Sequence, residues 1–299
     1  MSIISKVAIV GGTGNLGPAI LRQVVAAGFD VTVLTRKPGS QGFPSSVKVA
    51  VVDYESPESV TDALRGQDAV VSTIASAALS KQLLLVDAAA KAGVKRFIPS
   101  EFGSNTLHPK TAQLPCYGDK VAVQNALKKK AENGGMTYTF VINGPFFDWG
   151  MRVGFVANVK GRSVPLWDGG DRVFSTTTQD TIGRAVAGVL KHPEETKNRA
   201  VYVQDIALSA KQLLEIGKRA ISSDTWKGEV ASVDAHVAKG WEELSKPHPN
   251  PDNFVMNFIT ASIWGEGYGS KFDKLDNELL GIKEFSEADV EALIKKLDN

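Results

Sequence analysis

Val7-Ala-Ile-Val-Gly-Gly-Thr-Gly-Asn-Leu-Gly17 is the stretch whose reading decides the fold. Its first four residues form an uninterrupted apolar run, the pattern of a strand covered on both faces. Glycines follow at positions 11, 14 and 17, and then a helical pattern begins. Gly11 permits a tight turn out of the strand. Gly14 lacks a Cβ, so a pyrophosphate can approach the chain, and Gly17 lets the helix pack against the sheet. The helix N-terminus offers free N–H groups and the positive end of its dipole to phosphate oxygens. Thr13, Asn15 and Leu16 complete this loop as candidate cofactor-binding residues. Glycines at this spacing are a weak signal alone and a strong one between a first strand and a first helix.

Outward from that loop, β-rich runs alternate with helical patterns. Strands are predicted over 7–10, 31–34, 47–52, 69–74, 96–98 and 137–142, and helices over 17–27, 57–64, 81–92 and 119–133. Ser56 reads as an N-cap, with Pro57 at the first helical position, and Gly28 and Gly93 read as helix stops. Repeated strand–helix–strand units with short connections imply a doubly wound parallel sheet in an α/β fold. Residues 1–150 would form this dinucleotide-binding domain, with 175–205 returning to it through a helix over 181–190 and a strand over 200–203. Residues 151–174 and 206–299 would form a smaller domain, with helices over 209–220 and 287–296. Lys246-Pro-His-Pro-Asn-Pro251 cannot be a regular helix or a central strand.

The end of the second strand selects the dinucleotide. An acidic residue there binds the ribose 2′-OH of NAD. Here Leu34-Thr-Arg-Lys37 carries two cations and no carboxylate, which favours the 2′-phosphate of NADP(H), with Arg36 and Lys37 as its ligands. A solvated basic loop is the plain alternative. Asp53, at the end of the third strand, suits either the adenine edge or an ordinary turn.

Composition narrows the function classes. The 299 residues are 43% hydrophobic and 22% charged, with a formal net charge of +1. Nothing in the bulk charge recommends a nucleic-acid or membrane partner. One cysteine, Cys116, excludes an internal disulfide and a thiolate zinc cluster, and the four histidines lack ligand spacing. The absence of a signal-peptide pattern and of long apolar runs points to a cytoplasmic monomer or homodimer.

Three segments resemble a known group. Gly11–Gly17, then Val94-Lys-Arg-Phe-Ile-Pro-Ser-Glu-Phe-Gly103, then a lysine-bearing helix, are similar to the isoflavone reductase-like and NmrA-like branch of the atypical short-chain dehydrogenases. Asn143-Gly-Pro-Phe-Phe147 and Asp180-Thr-Ile-Gly183 also look like family segments. The resemblance implies a Rossmann-type domain with a smaller C-terminal α/β substrate domain. It also implies NADPH-dependent reduction of a small aromatic compound: an isoflavonoid- or phenylpropanoid-like ketone, quinone or benzylic ether. Asn143 and Pro145 would then lie beside the cofactor. The family's catalytic lysine matches Lys120, which would offset charge building on the acceptor oxygen, unless it is a surface helix lysine. Tyr117 departs from the usual Tyr-x-x-x-Lys spacing by one residue. It stands as a secondary catalytic candidate, or as an aromatic at a helix start. Phe102, Phe146, Phe147 and Trp149 would wall the substrate pocket or belong to the core. A non-enzymatic NADP-binding regulator acting through a protein partner is the alternative function.

Overall fold

The structure, a computed structural model, describes residues 3–37, 42–132, 134–221 and 225–298. Its first half runs β1 (Lys6–Val10), α1 (Gly17–Ala26), β2 (Asp30–Thr35), β3 (Lys48–Val51), α2 (Pro57–Leu64), β4 (Ala69–Ser72) and α3 (Gln82–Ala92). It continues through β5 (Arg96–Ile98), α4 (Pro109–Ala112), α5 (Gly118–Glu132) and β6 (Thr137–Ile142). Local chemistry sets these limits. The Ser56 hydroxyl accepts the Ser59 N–H at 3.2 Å at the start of α2. Gly93, at φ 81°, ends α3 in the left-handed region that glycine enters without a Cβ penalty. Asn133, the predicted end of α5, lies outside the described residues.

The second half runs α6 (Phe147–Arg152), β7 (Ser163–Trp167), β8 (Val173–Thr176), α7 (Gln179–Lys191), β9 (Arg199–Tyr202), β10 (Ile206–Ser209) and α8 (Ala210–Ala220). It ends with β11 (Lys227–Ala231), α9 (Val233–Leu244), α10 (Pro251–Trp264) and α11 (Glu287–Asp298). Pro251, the last proline of the breaker run, opens α10, where its fixed φ suits the first turn. α6, β7, β8, β10, β11, α9 and α10 were not anticipated from the sequence.

The parallel sheet has seven strands in the order β3-β2-β1-β4-β5-β6-β9. Order reverses between β1 and β4, so the crevice for a ligand lies at the carboxyl ends of those strands. One face of the sheet packs on α1 and α7 through Ile20, Val24, Ile182 and Val186. The other packs on α2, α3 and α5 through Val60, Leu85, Val123 and Leu127. A Cβ at Gly183 would stand 2.6 Å from the Ala19 carbonyl oxygen, so glycine is what allows α7 to lie flush on α1. A separate core of Phe147, Trp167, Phe174, Leu213, Phe258 and Trp264 organises the C-terminal elements, where β7 pairs with β11 and β8 with β10.

At the start of α8, Ser209 and Gln212 close a capping box. Each side chain takes up the other's backbone N–H, at 3.2 and 2.8 Å. Ser209→Ala is expected to cost about 1 kcal/mol in urea denaturation, the usual size of a lost N-cap. An unchanged midpoint would contradict it. No helix among the described residues is long and apolar enough to cross a membrane.

Candidate active site at the carboxyl edge of the sheet

The glycine loop leaves β1 where strand order reverses. Gly11 sits at φ 85°, and a Cβ on it would stand 2.8 Å from the Thr73 carbonyl oxygen. Gly14 donates its N–H to the Gly11 carbonyl at 2.9 Å, closing the turn. Gly17 begins α1, and its missing Cβ leaves room for the Gly11 carbonyl, only 2.2 Å from where that atom would be. Leu16 precedes α1 without a side-chain cap, and no acidic residue occupies the first turn. The first-turn N–H groups therefore meet neither a side-chain acceptor at the cap nor local negative charge. Thr13, Gly14 and Asn15 are exposed. Asn15 is tied to α7, since Gln179 Nε2 donates to its backbone oxygen at 2.7 Å and its side-chain oxygen at 3.1 Å. The chemistry of this loop fits a pyrophosphate: an uncapped helix end beside an exposed glycine.

Beyond β2, Arg36 and Lys37 are exposed, and the Thr35 hydroxyl closes their turn by donating to the Lys37 carbonyl at 2.8 Å. Tyr54, which sequence reasoning passed over, lies beside them. Its hydroxyl donates to the Leu34 carbonyl at 3.1 Å. Burial pushes its phenol up to about 12, and the Arg36 charge partly offsets this. Asp53 behaves as a turn residue, its carboxylate accepting the Glu55 N–H at 2.9 Å.

The second part of the site gathers at the ends of β5 and β6. Pro99-Ser-Glu-Phe-Gly103 makes a sharp turn in which Phe102 adopts φ 24°, a region a bulky residue enters only when its surroundings enforce it. That turn presents the Glu101 carbonyl oxygen to Lys120, whose Nζ donates to it. Lys120 is half-buried at the start of α5. Desolvation lowers the pKa of its amine below the usual lysine value, against the opposing pull of Glu101. Lys128 and Lys129 are exposed on the same helix, and Lys130 pairs with Asp87 at 2.8 Å.

Asn143 and Gly144 hang from the same turn, with both N–H groups directed at the Gly103 carbonyl, at 3.3 and 2.9 Å. Asn143 is fully buried, and its side-chain oxygen has no hydrogen-bond partner. Thr177 and Thr176 hydroxyls hold the Asn143 and Pro145 carbonyls at 2.6 and 2.8 Å, so this loop is clamped from β8.

Tyr117 lies in a short 3-10 turn ahead of α5, not on the helix with Lys120. Its hydroxyl is 2.8 Å from Ser104 Oγ and 2.9 Å from Ser262 Oγ, and those two are 2.8 Å apart. This closed hydroxyl triangle ties the site turn to α10. Complete burial raises the pKa of the phenol, with Cys116 adding to the effect, so it is a poor proton donor there. The four aromatic residues divide. Phe147 is wholly enclosed in the C-terminal core and Phe102 in the core beneath α1, so neither lines a cleft. Phe146 and Trp149 are half-buried and meet edge to face at 6.4 Å.

The sequence profile of the NmrA-like family matches residues 4–236. This chain belongs to the NmrA-like family. Among its relatives, the oxidoreductase aprR of Aspergillus flavus is 34% identical over 91% of either chain. The oxidoreductase poxI of Penicillium oxalicum is 31% identical over 95% of this chain and 92% of its own. The fold is shared with the leucoanthocyanidin reductase–NADPH complex of Vitis vinifera, at a TM-score of 0.76 and 18% identity over 99% of this chain and 100% of that one. A structure described as AtPrR2 with NADP+ and (+)pinoresinol superposes at a TM-score of 0.76, with 20% identity over 100% of this chain and 99% of that one. The glycine loop and the Lys120 turn of this NmrA-like chain therefore lie on a fold shared with those two structures, and the two fungal relatives are named as oxidoreductases.

Proposed function

We propose that this NmrA-like protein reduces a small aromatic compound with NADPH, using Lys120 as the group that stabilises and protonates the acceptor oxygen. One observation carries the reading: a half-buried lysine amine held on the Glu101 carbonyl, at the carboxyl edge of the sheet that also bears the glycine cradle. Bound NADPH would supply the hydride. The chain supplies the rest. Gly11–Gly17 and the start of α1 hold the pyrophosphate, and Arg36 and Lys37 hold the 2′-phosphate. Lys120 Nζ spends one N–H on Glu101 and keeps two for an oxygen on which negative charge develops. Its desolvation lowers the cost of passing a proton to that oxygen. Asn143 offers a buried acceptor without a partner beside the same turn, suited to an amide or hydroxyl donor. Phe146 and Trp149 supply half-buried aromatic surface for the substrate ring.

Relatives support the chemistry: two fungal oxidoreductases and the plant pinoresinol-lariciresinol reductases. The test is NADPH oxidation against a panel of aromatic ketones, quinones and benzylic ethers. Turnover of one class is expected. Tight NADPH binding with no turnover across the panel would replace the enzyme by a nucleotide-binding regulator.

Cofactor choice has its own test. Arg36→Ala should weaken NADPH by about 1.5–3 kcal/mol, the size of a charge-assisted contact, and leave NADH nearly unchanged. Equal wild-type affinity for the two nucleotides would rule out the assignment.

A further inference from the structure

Glu101 is a carboxylate with 1% of its surface exposed, an uncommon place for an acidic side chain. Thr106 donates its hydroxyl to one carboxylate oxygen at 2.5 Å, and Gln124 Nε2 donates to the other at 3.0 Å. The same Gln124 amide nitrogen is 2.9 Å from Thr106 Oγ1, so the three side chains form a closed buried set. Gln124 stands one helical turn beyond Lys120 on α5. The first two turns of α5 therefore grip Glu101 twice: Lys120 by its main-chain oxygen, Gln124 by its carboxylate. Both of these donors on the carboxylate are neutral. Its charge acts on the Lys120 ammonium against the effect of desolvation.

We propose that Glu101 is a positioning residue of the active site: its carboxylate, held by Thr106 and Gln124, anchors the strained turn whose carbonyl holds the Lys120 amine, and keeps an acidic group close to that amine. The inference rests on the reductase reading for its catalytic meaning. Its physical content, a coupling of Glu101 to Lys120, stands apart from any substrate. Other groups around α5 are otherwise engaged. Asp87 on α3 pairs with Lys130, and Lys81 pairs with Glu55. Cys116 holds its thiol proton, since burial pushes it up to about 12. Tyr117 presents its ring to the amine, 5.7 Å from Nζ to the centroid, while its hydroxyl stays in the serine triangle. Of the groups acting on the Lys120 amine, Glu101 is the acid left to oppose desolvation. Without it, desolvation would act on the amine alone and favour its neutral form.

The test follows the proton on Lys120 directly. Competitive labelling with acetic anhydride, read at Lys120 by peptide mass spectrometry from pH 6 to 11, reports the midpoint at which the amine becomes neutral. Glu101→Gln keeps the size of the side chain, and the Thr106 hydroxyl can turn to accept from the new amide. Its labelling midpoint should fall by about one pH unit or more, the effect of removing an opposite charge at close range. Gln124→Leu removes a hydrogen bond and leaves the charge, so its midpoint should stay close to that of the wild type. Coincident midpoints for wild type and Glu101→Gln, or equal shifts in both variants, would overturn the proposal.

A second measurement needs no change at Glu101. In Lys120→Met the buried carboxylate loses its counter-charge, which favours a bound proton in the folded state. The folded state then binds more protons than the unfolded state, so the melting temperature relative to wild type should fall as pH rises from 5 to 8. Parallel melting curves would overturn the coupling. Neither readout uses a substrate. A coupled pair in a protein that turns over nothing defeats the reductase reading alone, and an uncoupled pair in an active enzyme defeats this inference alone.

Discussion

Lys120→Ala is expected to lower kcat by roughly 10²–10⁴, the contribution of a positioned acid–base group, while the affinity for NADPH changes much less. In the proposed reaction the lysine supplies the cation beside the reacting centre. Its amine is anchored on the Glu101 carbonyl, and burial weakens its hold on the proton. Alanine removes both the positive charge and the proton, and no neighbour replaces them. Lys128 and Lys129 are exposed, and Lys130 is paired with Asp87. Tyr117→Phe should cost less turnover and more stability, because its hydroxyl closes a buried triangle with Ser104 and Ser262. Steady-state kinetics with stopped-flow NADPH binding separates the two effects. A dead Tyr117→Phe beside an active Lys120→Ala would transfer the chemistry to the phenol. Full activity in both would remove it from this turn altogether.

Gly14→Val should abolish NADPH binding while the protein still folds. A Cβ at Gly14 would stand 3.3 Å from the Gly11 carbonyl oxygen, a tight contact that a shift of a few tenths of an ångström relieves. The backbone there does not need a positive φ. The branched side chain would instead occupy the space above the turn where a pyrophosphate must approach. Losing two charge-assisted contacts at about 1.5–3 kcal/mol each predicts a roughly 10²–10⁴-fold weaker complex. Gly17 offers no such separation. A Cβ there would lie 2.2 Å from the Gly11 carbonyl, so even alanine would displace α1 from the turn. Isothermal titration with NADPH, alongside circular dichroism, tests the difference. A folded Gly14→Val that binds NADPH normally would mean the phosphates lie elsewhere.

The nucleotide-binding half was legible because its signals are local. Ser56 and Pro57 mark the start of α2, and β5 and β6 occupy the residues their apolar runs predicted. The glycine spacing states its own geometry, since each missing Cβ answers a contact within the same turn or the next strand. The place of Lys120 on the helix after Pro99–Gly103 was also legible.

The C-terminal half was not legible, for a physical reason. β11 reads Lys-Gly-Glu-Val-Ala, with little alternation, and becomes a strand only by pairing with β7 some sixty residues earlier. β8 and β10 likewise exist as a pair. The α10 apolar residues point in several directions because that helix is packed from more than one side, which erases a simple stripe.

The site divides along the same line. That a lysine stands at position 120, on the helix after the Pro99–Gly103 turn, is a property of the sequence. That Glu101 is buried, that Thr106 and Gln124 close on it, and that Tyr117 is bound to a serine 145 residues away were decided by tertiary structure alone. A pKa depends on what surrounds the group in space, and residues distant along the chain write no mark of that neighbourhood into the sequence around it.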